Sequence, residues 1–236
     1  MPRKQLSSEF LDYLAASKFQ DIPDHLPTLN DLSKQLGISV ARLREQLEVA
    51  KALGLVEARP RTGLRRLPYS FLPAVRQSLT YAIEIDPHNF NVFADLRDQI
   101  EIAYWEQAVE LLTQDDKAAL QKLVESAWKK LTAARVQIPH QEHKELHLLI
   151  YSRLNNPFVT GLLEAYWEAY ESVGLSIFAD YDYLQKVWNY HQKMVDAICN
   201  EDVQEGWRAL VEHRSLLHHQ IVPEIKIVPN LSAPQA

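Results

Sequence analysis

From Asn91 to about Ile221, apolar residues return at spacings of three and four through six successive segments. Side chains three and four apart share one helix face, so this pattern commits the stretch to helices packed on one another. The segments read FADLRDQIEIAYWEQAVELL, QDDKAALQKLVESAWKKLTAA, QEHKELHLLIYSRL, FVTGLLEAYWEAYESVGLSIF, DYLQKVWNYHQKMVDAICN and EDVQEGWRALVEHRSLLHHQI. Asn155-Asn156-Pro157 breaks the chain after the third. Only 6 glycines occur in 236 residues, and alternating β-branched runs are few, so the balance leans to helix throughout.

The front of the chain has different punctuation. A helix is expected over SSEFLDYLAASKF, with Phe10, Leu11 and Leu14 on one face. The next helix has Thr28 as N-cap, Asp31 three residues on, and Gly37 at its end. Ser39 caps a third helix whose stripe is Leu43, Leu47 and Ala50, closed by Gly54. VEARPRTGLRRL then reads as a hairpin with Thr62 and Gly63 at its tip. Two helices joined by a short turn containing glycine make a helix-turn-helix, and the hairpin makes it winged. A helix spanning about 73–84 then leads into the helical region.

Charge follows the same division. Residues 1–70 carry 11 Lys and Arg against 8 Asp and Glu, whereas residues 71–236 carry 14 against 23. A basic small segment joined to an acidic larger one suggests that the first meets a polyanion. Ser39, Arg42 and Arg44 lie where recognition helices present side chains to base edges. Arg59, Arg61, Arg65 and Arg66 sit in the hairpin, and arginine forks suit phosphate and guanine alike. The bland alternative is a solvated charged loop. No apolar run approaches a membrane span, the N-terminus lacks a secretory signal, and the single Cys199 fits a reducing cytoplasm.

Four histidines interrupt the apolar stripes. His143 and His147 are four apart on the third segment, with Leu146, Leu149, Ile150 and Leu154 behind them. His191 is flanked by Val187, Trp188, Met194, Val195 and Ile198, and His213 by Ala209, Leu210, Leu216 and Leu217. One histidine on an apolar face is usually a satisfied core residue. Three helices doing this independently leave a metal site and core packing about equally open.

LPTLNDLSKQLGISVARLREQLEVAKALGLVEARPRTGLRRL resembles the winged helix of GntR-type regulators. The matching skeleton is Leu26-Pro27-Thr28, Leu32, Leu36-Gly37-Ile38-Ser39, Arg44-Glu45, Leu47, Leu53-Gly54-Leu55-Val56 and Gly63. It departs from the family at Val40, where arginine is usual, and at Ala41-Arg42, so the operator sequence is not inherited. Residues 91–221 resemble the FCD domain of the FadR branch of that family. Arg97 and Glu101 match its Arg-x-x-Leu-Glu helix, HKELH its Asp-x-x-x-His motif, NNPF its break, and His191 and His213 its two later histidines. His143 stands where the family has aspartate, which shifts the expected preference towards zinc or nickel.

The resemblance implies a mainly α chain: a winged helix-turn-helix (1–68), a connector with a first helix (69–90) and a helical effector- and metal-binding bundle (91–222); the proline-bearing, aperiodic tail (223–236) is expected to be loosely ordered. It implies a cytoplasmic homodimer that binds double-stranded operator DNA and is not an enzyme. The residues expected at DNA are Thr28, Ser39, Arg42, Arg44, Arg59, Arg61, Thr62, Gly63 and Arg65. The divalent ion is expected on His143, His147, His191 and His213. A small carboxylate effector is expected beside Arg97 and Glu101, for which the bland alternative is an ion pair at helical spacing. Two other readings stay open: a DNA-binding dimer whose bundle is purely structural, and a metal-dependent enzyme.

Overall fold

The structure, a computed structural model, describes residues 8–16, 25–59, 63–173 and 180–217. Arg61, Thr62 and the 223–236 tail lie outside the described residues. The described residues form a mainly α chain, with a winged helix-turn-helix at the N-terminal end and an all-α helical region after it. The chain divides into two compact units, 1–81 with 155–169, and 82–154 with 170–236.

In the first unit, α1 (Glu9–Ala16), α2 (Leu29–Leu36) and α3 (Val40–Ala52) pack on one another, and α3 packs on strand β1 (Val56–Arg59). Thr28 Oγ1 accepts from the Asp31 backbone N–H at 3.3 Å and donates to the Asp31 carboxylate at 2.7 Å, which starts α2. Gly37 ends it at φ 67°, a left-handed conformation that costs a residue without a Cβ nothing. Ser39 Oγ then accepts from the Arg42 N–H at 3.2 Å and starts α3. Phe10, Leu32, Leu43 and Ala50 are fully buried between the three helices. Each large apolar side chain buried this way contributes about 1.5–3 kcal/mol, somewhat more than a typical cap at about 1 kcal/mol.

β1 pairs antiparallel with β2 (Gly63–Arg66), from Val56 opposite Arg66 to Arg59 opposite Gly63. The chain ahead of α2 adds a further rung to the wing. Leu26 N–H donates to the Leu64 carbonyl at 2.8 Å, and His25 bridges Arg65. Helix α4 (Leu72–Ile85) follows, and α8 (Pro157–Ser172) approaches its start closely. A Cβ on Gly161 would lie 2.7 Å from the Leu72 backbone nitrogen.

The second unit contains α5 (His88–Glu110), α6 (Gln114–Leu131), α7 (His140–Ile150), α9 (Tyr181–Cys199) and α10 (Val203–Leu217). α9 packs against α10 and α6, α6 against α7, and α10 against α5. Trp105, Leu120, Ala127, Leu146, Met194 and Val195 fill the centre. Thr113 and Asp116 close a capping box at the start of α6. Arg153, beyond the end of α7, holds the same Asp116 carboxylate through two bonds of 2.9 Å. That fork, followed by the Thr113 bonds, holds the Asp116 carboxyl well below the usual carboxylate range. Glu142 at the start of α7 accepts from Ser126 at 2.9 Å and pairs with Lys130 at 2.6 Å, both on α6. α7 is thus pinned at both ends, and the turn of helix bearing His143 and His147 lies between the pins. α10 is seated by a notch at Gly206, where the Trp105 indole sits so close that a Cβ would come within 2.6 Å of it.

Candidate metal centre

His143 and His147 on α7, His191 on α9 and His213 on α10 converge in the second unit. One nitrogen from each lies within 4.8 Å of the corresponding nitrogen on every other. His147, His191 and His213 are 1%, 0% and 1% exposed, and His143 is half-buried. Helical spacing stacks the α7 pair on one face, with ring centroids 5.1 Å apart. The stripes around His191 and His213 turn those rings inward, to a centroid separation of 4.5 Å.

The rings fit the donor set of a divalent ion. His147 Nε2 and His191 Nε2 approach to 3.1 Å. Two imidazole nitrogens on one tetrahedral ion, each at about 2.0–2.1 Å, are separated by roughly 3.3 Å. Burial is the main cause holding all four imidazoles well below their ordinary pKa of 6.5. Neighbouring imidazoles add to it for His143, His191 and His213, and Arg97 adds to it for His147. They are therefore neutral at pH 7, with lone pairs available. His191 Nδ1 and His213 Nε2 are buried without a hydrogen-bond partner. Such an orphan costs about 1–3 kcal/mol in an apolar interior; an ion ligated at His213 Nε2 would offset that cost there, whereas His191, which faces His147 through Nε2, keeps its Nδ1 outside the donor set.

Behind His147 lies a charged shelf on α5. Arg97, 2% exposed, pairs with Asp98 at 2.9 Å and with Glu101 at 3.0 Å. His147 Nδ1 lies 2.9 Å from Arg97 NH2 and 3.1 Å from Glu101 Oε1. Arginine only donates and carboxylate only accepts, so this nitrogen serves one of the two at a time. With Nδ1–H donating to Glu101, the Nε2 lone pair points into the cluster, the tautomer a metal ligand requires. Burial raises the Glu101 and Asp98 carboxyls above their ordinary range, against the pull of Arg97. Tyr151 donates to the Glu101 backbone carbonyl at 2.9 Å and fixes that turn of α5.

Arg97 and Glu101, expected around an effector, thus form a buried ion pair in contact with His147. Asp98, which pairs with Arg97, was not singled out in the sequence; its position beside that arginine was the available signal. On the His143 side, a cavity of about 20 Å³ is lined by residues including His140, Tyr170, Tyr183, Val187 and Trp188. That volume admits one water molecule.

The described residues among those expected at DNA occupy the first unit. Arg42 and Arg44 project from α3 as exposed side chains, and Thr28 and Ser39 spend their hydroxyls on helix caps. Arg42 is held at 2.7 Å by Glu9 on α1, and Arg59 at 3.0 Å by Glu57. Arg65 stands across the strand pair from Glu57, 4.0 Å away, and Gly63 opens β2 at φ 79°. Glu9 was invisible as a partner in the sequence, because α1 and α3 meet only through the tertiary fold, whereas Glu57 lies within the hairpin beside Arg59 and opposite Arg65.

Residues 93–216 match the FCD domain family. An uncharacterized HTH-type transcriptional regulator of Bacillus subtilis (strain 168), YcbG, is 22% identical over 223 residues, covering 93% of this chain and 91% of that protein. YieP of Escherichia coli (strain K12), with the same description, is 28% identical over 192 residues, covering 78% and 80%. Among solved structures, a GntR protein of Streptococcus agalactiae superposes with a TM-score of 0.63 at 17% identity, covering 89% of this chain and 96% of that one. The domain match takes in more than half of the chain and all four converging histidines, and the chain belongs to the FCD domain family.

Proposed function

We propose that this chain binds a double-stranded DNA operator as a homodimer in the cytoplasm, and that a divalent ion and a small carboxylate effector in the helical unit set its affinity. The DNA-contacting residues are Thr28, Ser39, Arg42 and Arg44 around α2 and α3 and Arg59, Gly63 and Arg65 on the wing strands, together with Arg61 and Thr62. His143, His147, His191 and His213 hold the ion. The observation that carries this reading is the convergence of four neutral imidazoles, from three helices, with one nitrogen of each within 4.8 Å of one on every other. An all-imidazole set favours zinc or nickel over hard ions such as magnesium. A bound ion would supply a Lewis-acidic position for a carboxylate oxygen, with Arg97 and Glu101 in the shelf behind it.

The cavity beside His143 holds no more than a water, so an effector enters by displacing the side chains around it. An effector that binds one conformation of the helical unit better than another shifts their populations. The same coupling free energy then appears in DNA affinity. No catalytic role is assigned, in keeping with a family of regulators.

The test begins with a duplex enriched by the protein from a randomised pool. Arg42→Ala with Arg44→Ala should weaken binding to it by about 1–3 kcal/mol for each base edge no longer read, measured by fluorescence anisotropy. Equal affinity of wild type and double variant would remove α3 from the interface. Chelation followed by nickel or zinc reloading should then change that affinity reversibly.

A further inference from the structure

Arg42 is anchored by a residue that is itself anchored. Its NH2 group donates to Glu9 Oε1 at 2.7 Å, although the Arg42 side chain remains 59% exposed. The other oxygen of Glu9 accepts from the side-chain amide of Gln46, which is 9% exposed. Gln46 cannot swing away, because its Oε1 accepts from the Phe10 backbone N–H at 2.9 Å. Gln46 on α3 therefore clasps the first turn of α1 and fixes the Glu9 carboxylate in place. Glu9 is ionised as well as fixed: a bond from its own backbone N–H, then Gln46 and Arg42, hold its carboxyl below the ordinary range.

We infer that Glu9 is a positioning residue that sets specificity: it holds the Arg42 guanidinium by one nitrogen, leaves the remaining N–H groups to meet a base edge, and keeps Arg42 from serving as a phosphate anchor. The inference rests on the proposed placement of α3 at DNA. A guanidinium has five donors, so one bond to Glu9 leaves a fork free for a neutral acceptor such as guanine O6 and N7. A phosphate brought to the same fork comes within a few ångström of a fixed carboxylate, and like charges at that separation repel. A neutral base edge meets no such penalty. Glu9 thus penalises contacts that carry no sequence information relative to those that do. Restricting the Arg42 rotamers before binding also lowers the ordering cost of the specific contact.

Glu9→Gln tests this, since it keeps an oxygen for Gln46 and removes only the charge. Binding is measured to a mixed-sequence duplex and to the enriched duplex over a range of salt. Glu48→Gln serves as a control with the same change in net charge; Glu48 lies on α3 and pairs with Lys51 at 2.7 Å. Matched thermal melts of the variants establish that the fold is kept. Glu9→Gln should raise affinity for the mixed-sequence duplex by about fivefold and narrow the ratio between the two duplexes. It should also steepen the salt slope by about 0.9, as Arg42 becomes free to displace a counterion. Glu48→Gln should leave the slope as in wild type. An unchanged slope for Glu9→Gln, or changes equal to those of Glu48→Gln, would overturn the inference. Arg42→Ala separates the layers. If it leaves enriched-duplex binding intact, Arg42 is not at the DNA. If it weakens that binding while Glu9→Gln behaves as wild type, only the role of Glu9 falls.

Discussion

Moving the metal-free protein from about pH 7.5 to about pH 5.5 should strip stability from the helical unit steeply, because four imidazoles there are held below their unfolded value near 6.5. Below that value the unfolded chain binds protons that the folded chain refuses, so stability is complete above about pH 6.5 and lost as the pH falls. Each such group costs up to about 1.4 kcal/mol per pH unit, and four together roughly 5 kcal/mol per unit. Asp98 and Glu101 work the other way. Burial raises them, so the folded state takes up their protons first and recovers up to about half of that slope. A net loss of about 2.5–5 kcal/mol per unit exhausts a domain stability of roughly 5–15 kcal/mol within a few pH units. The assay is urea denaturation with chelator present, followed by tryptophan fluorescence. Trp188 reports locally, with its ring centroid 4.8 Å from that of His191. His143→Gln should lower the slope by about 1.4 kcal/mol per unit. Stability that stays flat across this window, or a slope unchanged in His143→Gln, would mean that folding does not hold these imidazoles neutral.

Three further outcomes follow from the same geometry. His147→Ala should abolish tight zinc and nickel binding, whereas His143→Asp should retain it; calorimetric titration of chelated protein distinguishes the two. Glu101→Gln should weaken metal affinity by about 10–100-fold, through loss of the charged acceptor at His147 Nδ1, and an unchanged affinity would count against that second contact. Gly206→Ala should destabilise the helical unit by about 1–3 kcal/mol, because its Cβ would lie 2.6 Å from the buried Trp105 ring; urea midpoints read this directly.

Local signals in the sequence carried the helix-turn-helix far. Thr28, Gly37 and Ser39 cap the elements they were expected to cap, and Leu43, Leu47 and Ala50 form the buried stripe of α3. The histidine stripes likewise placed the imidazoles on inward faces, since a helix period alone decides which side chains share a face. Helix α5 begins at His88, ahead of the expected start at Phe93, because the Asp86 side chain accepts from the His88 N–H at 2.9 Å and turns the chain into the helix early. What stayed hidden was long-range pairing. Nothing in the period of α5 shows that Arg97 and Glu101 meet an imidazole 46 to 50 residues away. The Glu9–Arg42 pair spans 33 residues. The rung that His25 and Leu26 add to the wing also depends on where the chain returns after α3.

Whether His143, His147, His191 and His213 form a divalent-metal centre joining three helices is decided by metal content measured together with stability. Untagged protein is purified without chelator, weighed by native mass spectrometry, analysed for metals, and melted before and after chelation. The expected result is about one zinc or nickel ion per chain and a melting temperature that falls on chelation and returns on reloading. Metal at roughly a thousand times its Kd contributes about 4 kcal/mol to the folded state. Protein that holds no divalent ion, takes none up stoichiometrically, and melts identically with and without chelator would contradict such a centre and leave the four histidines as core packing.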